Sequence, residues 1–258
     1  MRLAVFADSR VGREVVDFLA SERREEIVAL VVHDEDEASC RSTIVERSGV
    51  PEQHVFGPDR LGESDFADRL RDLSVDLGVS AFFGHILPPA VLEAFDRGCL
   101  NLHSGYLPYN RGTYPNVWSI VEGTPAGATL HYMDEGVDTG PVVARRRVEK
   151  RPTDTGRSLY RRLQTACVEL FRDTWPEVAA GRDEPVEQDP DAGTSHRRAD
   201  VEEIDEIDLD ETYTGRELID RLRARTFPPY ESCYFEEDGE RVYVRVQLWH
   251  EDEFPPES

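Results

Sequence analysis

Asn101 and His103 stand two residues apart at the end of a short apolar run. The run breaks at once into Ser104-Gly105-Tyr106-Leu107-Pro108-Tyr109-Asn110-Arg111-Gly112. In an extended strand, residues two apart share a face, so amide and imidazole project to one side while Leu100 and Leu102 project to the other. These side chains suit acyl chemistry. When an amine attacks a carbonyl carbon, negative charge gathers on oxygen and the nitrogen must shed a proton. The Asn101 amide can donate to that oxygen without changing charge. The His103 imidazole can donate when protonated and relay a proton when neutral. Farther along, the turn Asp134-Glu135-Gly136-Val137-Asp138-Thr139-Gly140 can bring the Asp138 carboxylate back to the imidazole. A carboxylate beside an imidazole selects its tautomer and favours its charged form.

The flanking sequence supplies elements to position these groups. Continuous apolar runs at residues 3–7 and 27–32 predict buried parallel strands, with further strands at 55–56, 77–83 and 98–103. Helical spacing falls between them, at 11–21, 41–47, 64–73 (Ser64 as N-cap) and 89–95 (Pro89 at the start). This alternation predicts a doubly wound α/β fold with an open, mostly parallel sheet, where ligands gather beyond the carboxyl ends of the strands. Asn101 and His103 lie at such an end. A helix at 115–121, strands at 129–133 and 142–148, and a long amphipathic helix at 156–177 follow. Residues 183–212 are rich in acid and proline. A last helix at 213–225 precedes a hairpin, 232–236 with 241–248, around Asp238-Gly239. The expected organisation is a catalytic domain at 1–182, an acidic linker or surface loop at 183–212, and a small α+β extension at 213–258.

Composition limits the partners. The 258 residues carry a net charge of −23, and Lys150 is the only lysine. A dense carboxylate surface keeps a protein soluble where salt screens its self-repulsion, which points to a salt-adapted source. The same charge repels nucleic acid unless a local basic patch exists. Arg145-Arg146-Arg147 is the candidate patch, or else the charged outer edge of a strand. Four scattered cysteines without a CxxC pair predict neither a disulfide framework nor a metal site. With no secretory leader and no membrane-length apolar run, a cytoplasmic protein is expected.

Asn101-Leu102-His103, Leu107-Pro108 with Arg111-Gly112, and Asp138-Thr139-Gly140 together resemble the formyltransferases that use 10-formyltetrahydrofolate. The resemblance is clear from about residue 77 to residue 148. It implies a formyltransferase-like fold, with Asn101, His103 and Asp138 as catalytic residues. Phe83-Gly84-His85-Ile86-Leu87-Pro88 resembles the family's pterin-binding loop. Phe83, Gly84, His85, Ile86, Leu87, Asp134 and Gly136 are therefore expected at the cosubstrate, without a metal. Tyr106 through Gly112, then Pro115-Asn116-Val117-Trp118-Ser119, is similar to the nucleotide-sugar N-formyltransferases. The acceptor implied is the amino group of a nucleotide-linked amino deoxysugar, with Ser104, Tyr106, Tyr109, Arg111 and Trp118 as substrate contacts. The alternatives are methionyl-tRNA or another small amine as acceptor, and a folate- or nucleotide-binding module without catalysis. The C-terminal hairpin offers an edge for a homodimer.

The remaining histidines receive plainer readings. His131 is expected as a satisfied core or wall residue, and His85 in a backbone role. His33, His54, His196 and His250 are expected at the surface. Phe227-Pro228-Pro229-Tyr230 reads as a rigid connector. His103, His131 and Asp138 could together hold a metal, but no close HxH or HxxxH spacing accompanies them.

Overall fold

Uninterrupted apolar runs become strands covered on both faces. The computed structural model describes residues 1–22, 25–34 and 40–254. Its elements run β1 (Arg2–Ala7), α1 (Ser9–Ser21), β2 (Glu26–Val32), α2 (Arg41–Ser48), β3 (Val55–Phe56), α3 (Phe66–Asp72), β4 (Leu77–Ala81) and α4 (Pro89–Leu92). Next come β5 (Cys99–His103), β6 (Arg111–Gly112), α5 (Pro115–Val121), β7 (Ala126–Tyr132), β8 (Val142–Val148) and α6 (Gly156–Ala179). The chain finishes with β9 (Ser195–His196), α7 (Glu202–Asp205), α8 (Gly215–Arg225), β10 (Tyr234–Glu237) and β11 (Glu240–Tyr243). Two compact units result. One comprises Met1–His103, Ala128–Arg146 and Gln164–Pro190; the other comprises Ser104–Gly127, Arg147–Leu163 and Asp191–Ser258.

A seven-stranded sheet in the order β3-β2-β1-β4-β5-β7-β8 organises the first unit. The pairs from β3 to β5 are parallel, and β7 runs antiparallel to β5. The order reverses direction at β1, between β2 and β4. With right-handed crossovers, helices then lie on opposite faces on either side of that switch. Packing agrees with this. Ala4 and Phe6 of β1 join Phe66 and Leu70 of α3 and Val91 of α4 in one core cluster. Leu3 and Val5, on the alternate face, are equally buried. Cys99 and Cys167 are buried, and burial pushes both thiols up; all four cysteines are free thiols.

The second unit packs α5 and the first turns of α6 with α7 and α8, around Val117, Trp118, Ile120, Leu159, Leu163, Ile204 and Ala224. Its two small sheets are β6 with β9, parallel, and the hairpin β10–β11. Asp238 and Gly239 both take positive φ, 52° and 83°, as a two-residue hairpin turn requires.

Three local expectations change. Helix α3 starts at Phe66, because residues 63–65 are drawn into a turn by the Phe66 N–H to Glu63 carbonyl bond of 3.2 Å. Ser64 therefore caps nothing. Helix α8 starts at Gly215, because Thr214 and Glu217 form a reciprocal capping box. Residues 183–212 carry structure as well. Val186 bridges Val142, Ser195 and His196 pair with β6, and α7 follows. Among the described residues no helix is long and apolar enough to cross a membrane.

Candidate active site

β5 is an interior strand of the sheet, flanked by β4 and β7. Leu100 and Leu102 are buried on one face, which turns Asn101 and His103 to the other. The antiparallel register of β5 and β7 sets His131 directly opposite Asn101 and Thr129 opposite His103. Opposed side chains on adjacent strands lie within contact distance. The Asp138 carboxylate arrives from the loop after β7 and meets all three polar groups. Asn101 Nδ2 donates to Asp138 Oδ1 at 3.2 Å, and His103 Nδ1 lies 3.4 Å from Oδ2. His131 Nε2 lies 3.3 Å from Oδ1. His103 is 7% exposed and His131 1% exposed, so water little screens their contacts with the carboxylate.

His131 is read from the sequence only as a core or wall residue, or as a metal partner of His103 and Asp138, and not as part of a proton-moving cluster. It is buried as expected, but it belongs to the polar cluster. Its Nδ1 lies 2.8 Å from the Tyr132 carbonyl oxygen, which can only accept, so Nδ1 carries a hydrogen. Neutral His131 then offers a bare Nε2 to the Asn101 amide, 3.2 Å away. Only the strand register pairs His131 with Asn101, and register is not visible in a single sequence.

The Asp138 loop is built by its own side chains. The Asp134 carboxylate accepts from the Gly136 N–H at 3.0 Å and from the Thr139 hydroxyl at 2.6 Å. Gly140 passes so close to β7 that a Cβ there would meet the Tyr132 carbonyl oxygen at 2.0 Å. These contacts explain Asp138-Thr139-Gly140 as a unit: Thr139 closes the turn, Gly140 docks it, and Asp138 is presented with φ 56°. Asp134 and Gly136, expected at the cosubstrate, are both engaged in this turn.

Beyond β4, Phe83 and Leu87 are buried while Gly84, His85 and Ile86 face solvent, Ile86 at 78% exposure. The loop is pinned at both ends and open in the middle. Phe83 packs edge-on against Phe6, with ring centroids 5.6 Å apart. His33 is not a simple surface residue: its Nε2 bonds the Phe83 carbonyl oxygen, and its ring lies 4.7 Å from that of His85. The His85 pKa is lowered, first by desolvation and then by His33, with Asp8 opposing. Exposed backbone groups, an apolar Ile86 and an uncharged imidazole form a surface suited to a flat heterocycle with polar edges.

Of the residues expected at the acceptor, Ser104, Tyr106 and Tyr109 are half-buried. Arg111 and Trp118 lie deeper, and all five belong to the second unit. The Arg111 guanidinium donates to the Ala192 carbonyl at 3.3 Å. Trp118 stacks on His196 with ring centroids 4.0 Å apart, so His196 too leaves the surface. The pairing of β6 with β9 draws these groups inward. Arg146, from the candidate basic patch, pairs with Glu169 and Asp173 on α6. Among the described residues no group of three or more His, Cys, Asp or Glu side chains is arranged to hold a metal ion.

A buried amide–imidazole–carboxylate cluster thus sits at a strand end of a doubly wound sheet, with groups of the kind that acyl transfer uses. Residues 1–174 match the formyl transferase family, and residues 200–250 match the N-formyltransferase dimerization C-terminal domain. The chain belongs to the formyl transferase family. It is 38% identical over 197 residues to the methionyl-tRNA formyltransferase of Myxococcus xanthus, covering 76% of this chain and 61% of that one. It is 32% identical over 197 residues to the dTDP-4-amino-4,6-dideoxyglucose formyltransferase of Mycobacterium bovis, covering 75% and 82%. The chain thus spans less than two thirds of the tRNA enzyme and more than four fifths of the sugar enzyme. A 4-N formyltransferase from Francisella tularensis superposes with a TM-score of 0.81 at 28% identity, over 96% of this chain and 98% of that one. The formyltransferase PseJ from Anoxybacillus kamchatkensis was solved with UDP-4,6-dideoxy-4-formamido-L-AltNAc and tetrahydrofolate. It superposes with a TM-score of 0.58 at 29% identity, over 79% and 89%.

Proposed function

We propose that the protein transfers a formyl group from 10-formyltetrahydrofolate to the amino group of a nucleotide-linked amino deoxysugar. The observation that carries this reading is the convergence of Asn101, His103 and His131 on the Asp138 carboxylate. A sugar acceptor is supported by likeness to the Mycobacterium bovis enzyme over 82% of its length and by the nucleotide-sugar ligand of PseJ. The folate donor is supported by the ligand of PseJ and by the open loop at Gly84–Ile86.

When bound, the folate supplies a formyl carbon bonded to a nitrogen that can leave. The Asn101 amide would stabilise the negative oxygen that forms as the amine adds, joined by the His103 imidazole once it has taken up the amine proton. Both Asn101 bonds in the cluster are long, at 3.2 Å, so an oxyanion can compete for the amide hydrogens. With Nδ1 of His103 turned to Asp138, its Nε2 takes the proton from the attacking amine and passes it to the departing nitrogen. One C–N bond forms, one breaks, and one proton crosses from acceptor to leaving group. Asp138 keeps its charge throughout and orients the imidazole.

The test is incubation with 10-formyltetrahydrofolate and a panel of dTDP-, UDP- and GDP-linked amino sugars, following release of tetrahydrofolate. At least one amino sugar is expected to be formylated; release with none of them sinks the sugar reading. Methionyl-tRNA is the second acceptor to test, because the Myxococcus relative is a methionyl-tRNA formyltransferase. The net charge of −23 and the paired Arg146 oppose polyanion binding. In a gel-shift titration, tight binding of tRNA that weakens steeply with salt would move the assignment to that acceptor.

The catalytic part is read as residues 1–182 and the extension as 213–258, joined through 183–212. A role for the extension in subunit pairing is supported by the dimerization-domain match and by exposed apolar side chains. These are Ile219, Tyr230, Val242 and Tyr243, exposed by 42 to 62%. Analytical ultracentrifugation is expected to show a homodimer; a single species of 29.3 kDa would contradict it.

A further inference from the structure

We propose that Gln188 is the residue that positions Asp138, holding its carboxylate on His103 by clamping the backbone behind it. This rests on the formyl-transfer reading above. Asp138 occupies the left-handed region at φ 56°, which an L-residue other than glycine visits at a cost and keeps only when its surroundings hold it there. The Asp134 turn fixes the chain before Asp138, and the close approach of Gly140 to β7 fixes the chain after it. The peptide unit of Asp138 itself is held from a distant part of the sequence. Gln188 Nε2 donates to the Asp138 carbonyl at 2.8 Å and to the Gly140 carbonyl at 2.8 Å.

The chemistry identifies the group that does this. Two carbonyl oxygens facing one atom can only be met by a double donor, so the side-chain amide must present its NH2. The fold explains how Gln188 gets there. Val142 and Val186 exchange backbone hydrogen bonds of 2.8 and 2.9 Å, laying residues 186–188 alongside the start of β8.

The consequence for the site is geometric. The His103 Nδ1 to Asp138 Oδ2 separation is 3.4 Å, already at the long end of a useful contact. Release of the clamp lets the Asp138 peptide rotate, and the carboxylate swings with it. A displacement of about 1 Å is enough to cost orders of magnitude in rate while substrates still bind.

The experiment compares Gln188→Met and Gln188→Glu with the wild-type protein. Each is assayed with 10-formyltetrahydrofolate and whichever amino sugar of the panel the wild type formylates fastest. Methionine keeps the length and removes both donors. Its kcat is expected to fall roughly 10-fold or more, with both KM values within about twofold of wild type. Glutamate faces the two carbonyls as an acceptor until it is protonated. Its kcat is expected to recover relative to wild type as pH falls from about 8 toward about 5, since an ordinary Glu titrates near 4.3 and the carbonyls favour its acid form. A packing residue would give no such acid recovery, and the glutamate comparison holds within one variant should the methionine protein fold poorly. A Gln188→Met kcat within twofold of wild type, or a Gln188→Glu pH profile parallel to wild type, overturns the proposal. If the wild type formylates none of the panel, the sugar reading fails by itself. Positioning is then read from hydrogen exchange across residues 134–140, expected to be faster in Gln188→Met and overturned by equal rates.

Discussion

Replacing Asp138 with asparagine is expected to lower kcat by at least ~100-fold while KM for donor and acceptor changes little. Asparagine is the informative substitution because it tolerates the left-handed backbone that Asp138 adopts at φ 56°. Alanine would add strain and confuse lost chemistry with a moved loop. The variant keeps the shape and loses the charge. In the native cluster one carboxylate accepts from the Asn101 amide and faces two imidazoles, all within 3.4 Å. A neutral amide cannot serve these partners together. If its NH2 faces His103, Nδ1 must accept, the proton moves to Nε2, and the nitrogen meant to act as base is blocked. If its oxygen faces His103 instead, the imidazolium formed during proton transfer lacks its counter-charge in a buried site. Steady-state kinetics with purified protein decide the matter. A variant turning over within about tenfold of wild type would remove Asp138 from the mechanism.

Asn101→Ala is expected to cost a similar factor, at least ~100-fold in kcat, for a different reason. The amide is the neutral donor available to a developing oxyanion. It also bridges His131 Nε2 and Asp138 Oδ1. Truncation removes the donor and leaves the His131 nitrogen without that partner at a 1% exposed position. Because Asn101 and Asp138 act through one cluster, their effects should not add. The Asn101→Ala/Asp138→Asn double variant should lie within about tenfold of the worse single variant. Full additivity of the two losses would mean that the residues act independently, and would separate Asn101 from the proton relay. Donor binding measured directly should remain near wild type in all three proteins, since the Phe83–Leu87 loop lies outside the substitutions.

The amino-acid sequence by itself determined the class of architecture. Short unbroken apolar runs at β1 and β2, the second rich in Val and Ile, suit strands covered on both faces, and helical spacing between runs favours a parallel sheet. It also determined three of the four groups in the cluster. Asn101 and His103 follow from the two-residue alternation of a strand whose leucines are buried. Asp138 follows from a turn written in Asp134, Gly136, Thr139 and Gly140. Those signals are local, carried by residues a few positions apart. What the tertiary structure decided depends on pairings between distant segments. His131 joins the site because β7 pairs with β5 in one register. His33 reaches the Phe83 loop because the ends of β2 and β4 lie close across β1. Arg111, Trp118 and His196 turn inward because β6 pairs with β9, and Gln188 meets Asp138 through the bridge of Val142 to Val186. A sequence records which residues attract water and which bend the chain. It does not record which strand lies beside which, because that choice is settled by the packing of the whole sheet.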